Sequence, residues 1–443
     1  MTWAKRLGWA LALLGAALLI AWGARLVHTG LLFRAHLAQA LALAQAPKSV
    51  RPATACALVH DLRDDTVALR RQAGGLIRLA PALGWLPGVG GDLRAAPHLL
   101  AAADSLTEGG ALVCDALEPA CVAFGAADGA AGDLSLEWAV ALLAEGRGDL
   151  GCALAAVERG QEAWAQVDVG HLSPWLAQRT ALLEQALPLL RSGLEMALVA
   201  PDLLGMDGPR TYLILAQNED ELRPTGGFIS GVGRLTLEGG RIAELSFLDA
   251  YAVDDYAHKP YPEPPEPLFR YMGSELWLFR DANWWPDFPT SVREAAYLYE
   301  YGQGVPVDGI VALDQRVVEL FMAGLGEVQV PGVPEPVTAA NVRRCMRAAW
   351  NPGESGVTGD WLRSRKEFIG RLAAAIRGRV EHDPRSVDWV RVAKALYQAL
   401  EGRHLSVFVD DADVARALAR VGWDGALRAS EGDYLMVIDA NLG

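Results

Sequence analysis

A chain of 443 residues has room for two or three domains, and an apolar fraction of 51 % argues against disorder and allows a membrane segment. A formal net charge of -14, with basic residues spread thinly, leaves no electrostatic footprint for nucleic acid. The five cysteines, Cys56, Cys114, Cys121, Cys152 and Cys345, contain no C-x-x-C pair and no accompanying histidine spacing, which argues against a structural metal cluster. Arg outnumbers Lys and Ala is abundant, a bias typical of GC-rich bacterial coding.

Residues 7–24, LGWALALLGAALLIAWGA, form an uncharged run of 18 between Lys5–Arg6 and Arg25. That is long enough to span a hydrocarbon core of roughly 30 Å as a helix. A cleaved signal peptide shares the basic start and apolar stretch. The length of the run and the amphipathic stretch LLFRAHLAQALALAQA directly after it favour an uncleaved signal anchor. The expected arrangement is a cytoplasmic N-terminus and transmembrane helix over 1–30, a single pass through the cell membrane, and the bulk of the chain extracytoplasmic. In that compartment Cys114 and Cys121 can close a short disulfide, leaving an odd cysteine. Buried free thiols in helices are the alternative.

From 31 to 200 apolar residues recur at three- and four-residue intervals, near 54–79, 97–117, 133–168 and 174–199. Pro47, Pro52, Pro87, Pro97 and Pro174 punctuate the pattern. This predicts a helical, membrane-proximal region. The loop GWLPGVGGDL at 84–93 has two readings: an apolar tip in the membrane interface, where Trp is favoured, or a tight turn with its apolar residues tucked into the bundle. It lacks the Lys and Ser/Thr of a phosphate loop.

After Pro201 strand-like runs appear at 210–216, 228–237, 241–248, 307–313, 327–330, 405–409 and 433–438. Helical patterns near 291–302, 315–324, 338–348, 359–378, 386–401 and 411–420 separate many of them. The alternation predicts a mixed-sheet α/β domain over 201–443 that opens with a hairpin turning at Glu238, Gly239 and Gly240. Ser291 and Glu294 have capping-box spacing, Asp314 and Thr338 are candidate N-caps, and Gly324 with Gly326 would end the helix after Asp314. The proline-rich, aromatic segment 251–289 predicts a long irregular loop, either a site cover or extended packing across the surface. The last residues, GDYLMVIDANLG, read as a strand in need of a neighbour, so the native protein is expected to continue past Gly443.

Two clusters carry the chemistry. In LAQNEDELRPTGGF, Asn218, Glu219, Glu221 and Arg223 lie at a strand end, where α/β sheets present ligand-binding side chains. Arg223 offers a fork of donors, and Thr225, Gly226 and Gly227 shape a turn whose backbone N–H groups can face an anion. The sharp reading is a phosphate or sugar-phosphate loop; the other is an internal ion pair from Arg223 to a carboxylate that holds the glycine turn. The second cluster is Arg280, Asp281, Asn283, Trp284, Trp285 and Asp287, ahead of a helix start. Its tryptophans can pack against sugar rings or simply fill the seam between loop and sheet. Asp249, Asp254 and Asp255 could contribute oxygen ligands to Mg²⁺, a cofactor that a pyrophosphate substrate would need, or form an acidic surface loop, which is the commoner case. No G-x-S-x-G elbow, H-E-x-x-H, Walker A or dinucleotide fingerprint occurs, so the common hydrolase, zinc-protease, nucleotide and NAD readings lack support.

In order, QNEDELRPTGGFISGVGRLTLEGGRI, RDANWWPDFPTSV and VDGIVALDQRVVELFMAGLGEVQV resemble bacterial proteins grouped as domain of unknown function 4012, over roughly residues 75–443. The resemblance implies a membrane-anchored, envelope-exposed protein. A looser likeness in order and fold, without a residue-by-residue match, is to the LytR-CpsA-Psr transferases, which attach polyprenyl-linked glycopolymers to peptidoglycan. Two functions follow as expectations. One is a single-pass envelope protein whose α/β domain binds an anionic or glycan component, such as an envelope glycan or polyprenyl phosphate, as a glycopolymer transferase relative would. The other is a non-catalytic envelope scaffold or assembly protein.

Overall fold

The computed structural model describes residues 3–45, 52–125, 135–350, 367–383, 386–428, 432–433 and 435–440. The chain divides into two compact units, residues 1–134 with 141–200, and residues 135–140 with 201–443.

The first unit is helical. Helix α1 runs unbroken over Trp3–Gln45, 43 residues, so the apolar run and the amphipathic stretch after it are one element. Of the predicted span 7–24, the backbone is described throughout, and the side chains of Ala17 and of Ile20 onward. Among the described residues no helix is long and apolar enough to cross a membrane.

Helix α2 (Pro52–Ala73) lies antiparallel to α1. The Trp22 indole donates to the Gln72 carbonyl at 2.9 Å, the Thr29 hydroxyl meets Gln72 Oε1 at 3.2 Å, and His36 Nδ1 lies 2.7 Å from Asp65 Oδ2. A 3-10 stretch, Gly74–Leu83, leads through a turn into α3 (Gly90–Ala116), which returns antiparallel along α2. That antiparallel pairing sets the first turn of α2 against the last turn of α3, and Cys56 is disulfide-bonded to Cys114 with Cα atoms 5.5 Å apart. The predicted Cys114–Cys121 bridge is therefore replaced. Cys121, in α4 (Glu118–Gly125), is a free thiol 3.5 Å from the Cys56 sulfur.

The predicted helix at 133–168 is two helices, α5 (Leu136–Glu145) and α6 (Arg147–Ala165), followed by α7 (Pro174–Leu203). Small residues let α6 and α3 approach closely. A Cβ on Gly109 would lie 3.1 Å from the Ala153 carbonyl oxygen, and Ala153 and Ala156 are fully buried.

The second unit is built on a five-stranded sheet of order β3-β2-β1-β4-β5. The strands are β1 (Arg210–Asn218), β2 (Phe228–Glu238), β3 (Arg241–Asp249), β4 (Gly309–Leu313) and β5 (Leu405–Val409). β1 and β4 are parallel and the other neighbours antiparallel, so the sheet is mixed as predicted. The β2–β3 hairpin turns at Gly239 (φ +55°) and Gly240 (φ +81°), a primed turn that only residues tolerant of positive φ can make.

Strand periodicity divides β4 between two cores. Ile310 and Ala312 join Leu213, Leu215 and helix α9 (Phe288–Gln303) on one face. Val311 and Leu313 face Val317 of α10 (Gln315–Leu325) and Ala399 of the helix Trp389–Glu401 on the other. The result is a sheet covered on both sides.

Several local expectations are corrected. The run 327–330 forms only an isolated bridge, Val328 to Val337, and the described residues of 433–438 are in no strand. The segment 251–289 is less irregular than its prolines suggest: it contains α8 (Glu266–Met272) and a 3-10 stretch at Phe279–Trp284. Asp314 does cap α10, accepting from the N–H groups of Arg316 and Val317. Helix α11 (Val342–Trp350) instead starts after Asn341, whose side chain accepts from Thr338 N–H at 2.7 Å. The box predicted for Ser291 and Glu294 does not form because α9 begins a turn earlier, on Asp287. Ser291 closes onto the backbone of Trp285, and Glu294 accepts from the Trp277 indole at 3.3 Å.

Candidate functional site

The two chemistry-bearing segments meet at the carboxyl end of β1. A Cβ on Gly227 would lie 2.3 Å from the Asn218 carbonyl oxygen, and Gly226 has φ +128°. These two positions let residues 219–227 fold back on the strand, closed by Gly226 N–H to the Arg223 carbonyl at 3.0 Å and Phe228 N–H to the Glu221 carbonyl at 2.8 Å. The glycines serve a close backbone approach.

Arg223 points inward. Its side chain is 4 % exposed, its Nη2 lies 3.4 Å from Asp281 Oδ1, and the guanidinium sits 5.1 Å from the Phe228 ring centroid. Asn283, 1 % exposed, clamps the same loop by donating from Nδ2 to the Gly227 carbonyl at 2.7 Å and to Thr225 Oγ1 at 3.0 Å. Gln217 reaches Thr225 Oγ1 from the other side at 2.8 Å. Asn283 Oδ1 is buried and has no hydrogen-bond partner among the described residues.

The remaining predicted residues divide. Asn218 joins the ends of the two parallel strands, accepting at Oδ1 from Gln315 Nε2 at 3.1 Å and donating to Glu221 Oε1 at 3.2 Å. Glu219 turns away from Arg223 to pair with Arg343, and neighbouring Asp220 pairs with Arg347 at 3.0 Å. Trp284 packs against the main core. Asp287 caps α9, accepting from Thr290 N–H at 3.1 Å and from Leu427 N–H at 3.0 Å. Burial acts to raise its pKa, but the bonds from Thr290 and Leu427 outweigh it and hold the carboxyl below its usual range. Arg280 is the more accessible cation of the two segments: its side chain is 23 % exposed, its Nε is 3.8 Å from Asp281 Oδ2, and its guanidinium lies 4.4 Å from the ring centroid of exposed Tyr251.

Magnitudes identify what holds this cluster. Charge-assisted hydrogen bonds run about 2.7–2.9 Å, so the 3.4 Å Arg223–Asp281 contact is long. Burial raises the Asp281 pKa despite the guanidinium groups of Arg223 and Arg280 beside it. Burial also pushes Asp254 up to about 6, against the lowering effects of the Phe279 N–H it accepts and of Arg280, with Asp281 adding to the rise. Desolvation therefore outweighs attraction at both carboxyls.

The Asp254 shift has a testable sign. Below an unfolded pKa of about 3.9 the group is neutral in both states; as pH rises, the unfolded chain ionises first and the folded state loses stability until about pH 6. The full loss is about 3 kcal/mol. Asp254→Asn, which keeps an acceptor for Phe279, is expected to gain stability relative to the parent chain between pH 4 and 7, read by denaturant titration at each pH.

Asp249, Asp254 and Asp255 do not converge. Asp249 accepts from Tyr251 N–H, Asp254 from Phe279 N–H, and Asp255 contacts His258 Nδ1 at 2.6 Å. Among the described residues no group of three or more His, Cys, Asp or Glu side chains could hold a metal ion. Arg343 and Arg347, partners of the 219–220 carboxylates, had a signal in their i,i+4 spacing on α11. Tyr251 and Gln315 had none beyond lying next to a predicted strand end or helix start.

Residues 207–349 match the family model described as Protein of unknown function (DUF4012), a range that contains both segments of the cluster. No curated protein matches the chain.

Proposed function

We propose that this is a single-pass envelope protein held in the cell membrane by residues 7–24, with both units extracytoplasmic, and that its α/β unit is a non-catalytic scaffold or assembly module. The observation that carries the scaffold reading is the closure of the cluster. Arg223 pairs with Asp281, Asn283 Nδ2 binds Thr225 Oγ1 and the Gly227 carbonyl, and Gly226 and Gly227 supply the close backbone approach of the same loop. A loop built to receive phosphate would keep its cation and its N–H groups turned outward. The compartment is supported by the Cys56–Cys114 disulfide, a bond that persists in oxidising surroundings.

A second reading, binding of an anionic or glycan envelope component in the manner of a glycopolymer transferase relative, rests on Arg280 and Tyr251, a cation on an exposed aromatic face. Titration of the full chain in nanodiscs with a polyprenyl phosphate, with and without Mg²⁺, separates the two. The scaffold reading expects no saturable binding; saturable binding lost in Arg280→Ala overturns it. Topology has its own reporter, because Cys152 is an exposed free thiol. A membrane-impermeant maleimide is expected to label Cys152, and not a Cys152→Ser chain, before the cytoplasmic membrane is opened. Labelling only after lysis would place the helical unit inside.

A further inference from the structure

The turn joining α2 to α3 carries an apolar surface with no place in the bundle. Leu76, Leu79, Leu83, Trp85 and Val89 are all exposed, Trp85 at 73 % and Leu79 at 62 %. The segment is nevertheless tightly built: Leu86 N–H bonds the Leu83 carbonyl at 3.1 Å and Gly90 N–H the Leu86 carbonyl at 2.8 Å. A Cβ on Gly90 would lie 2.3 Å from the Gly84 carbonyl oxygen, so the glycines serve to fold the turn tightly while its apolar side chains face out.

Charge and position identify what covers it. From Thr66 to Gly91 the sequence has Arg70, Arg71 and Arg78 and no Asp or Glu, in a chain whose net charge is -14; Arg70 pairs with Asp104 of α3, which leaves Arg71 and Arg78 to charge the surface. The Trp22–Gln72 hydrogen bond sets the end of α2 beside the last turns of the apolar run of α1, and α3 returns from the same end. A basic, Trp-bearing apolar surface at the level where an anchor helix leaves the hydrocarbon matches the interfacial layer of a bilayer with anionic headgroups.

We infer that residues 74–89 are a second membrane contact, seated in the headgroup region beside α1 with Arg71 and Arg78 on anionic lipid. This rests on the proposal that residues 7–24 are the anchor. It makes the helical unit a body docked on the membrane through the same end from which its anchor emerges.

The test places an environment-sensitive nitrobenzoxadiazole fluorophore on Trp85→Cys in the full chain, with Cys121, Cys152 and Cys345 changed to Ser, in nanodiscs containing phosphatidylglycerol. A parallel chain carries the fluorophore on native Cys152. At position 85 the expected result is a blue-shifted emission that is quenched more by lipid spin-labelled near the headgroup than by lipid labelled deep in the chain, and is weakened in pure phosphatidylcholine. Position 152 should report water throughout. Water-like emission at 85 in a chain that resists carbonate extraction would overturn the docking while leaving the anchor intact. Water-like emission in a chain that carbonate removes would overturn both. A blue shift without lipid quenching would mean that protein covers the turn, and would also overturn the inference.

Discussion

Replacing Arg223 with alanine is expected to destabilise the α/β unit by about 3–5 kcal/mol, the usual cost of leaving one partner of a buried ion pair behind. Asp281, 8 % exposed, would keep only Arg280 as a neighbouring cation, at 3.8 Å against the 3.4 Å of the lost partner. The variant's deficit should shrink as pH falls, because Asp281 can shed its charge by protonation. A double change, Arg223→Met with Asp281→Leu, should recover most of the loss, since apolar groups of similar volume remove both desolvation costs. If Arg223 were a surface ligand for an anion, alanine would change stability by no more than about 0.5 kcal/mol. Denaturant midpoints of the single and double variants distinguish the two roles.

The other large effect is expected in the helical unit. Cys56 and Cys114 are 58 residues apart, and on the chain-entropy account a cross-link of that span is worth about 4 kcal/mol. Changing both to alanine should lower the oxidised protein's stability by that order, and adding a reductant should then change nothing further. The double variant is the clean comparison. With Cys114 alone removed, the Cys121 sulfur lies within 3.5 Å of Cys56 and offers a substitute bond.

The helical first half and the mixed sheet were legible because periodicity is a strong local signal: the patterns near 54–79 and 210–216 mark elements that exist. What failed was long-range or geometric. The Cys114–Cys121 bridge looked natural because those residues are close in sequence, whereas the bond formed depends on how α2 and α3 pair. The run at 327–330 and the described residues of 433–438 have strand composition but no neighbouring strand in the sheet. Ser291 and Glu294 matched a motif one turn too late, since Asp287 with Pro289 already started the helix.

The candidate cluster was half legible. Its two segments could be singled out as polar and glycine-rich within strand-like surroundings, and an internal Arg223 ion pair was one of the readings. The partner Asp281, the amide clamp from Asn283 and the outward turn of Glu219 toward Arg343 are set by tertiary packing across 56 to 124 positions of sequence. No local pattern reports those distances.

Helix α1 has a mechanical consequence. Forty-three residues at 1.5 Å each make a rod of about 64 Å. It passes without interruption from the apolar run into contacts with Gln72 and Asp65. A flexible tether would let the bundle swing independently of the apolar run; a continuous helix transmits torque. On the proposal that residues 7–24 are the anchor, a bilayer of different thickness that tilts the lower half of such a rod would tilt the upper half and the helices pinned to it as well. Under that proposal the orientation of the helical unit would report the thickness of the bilayer.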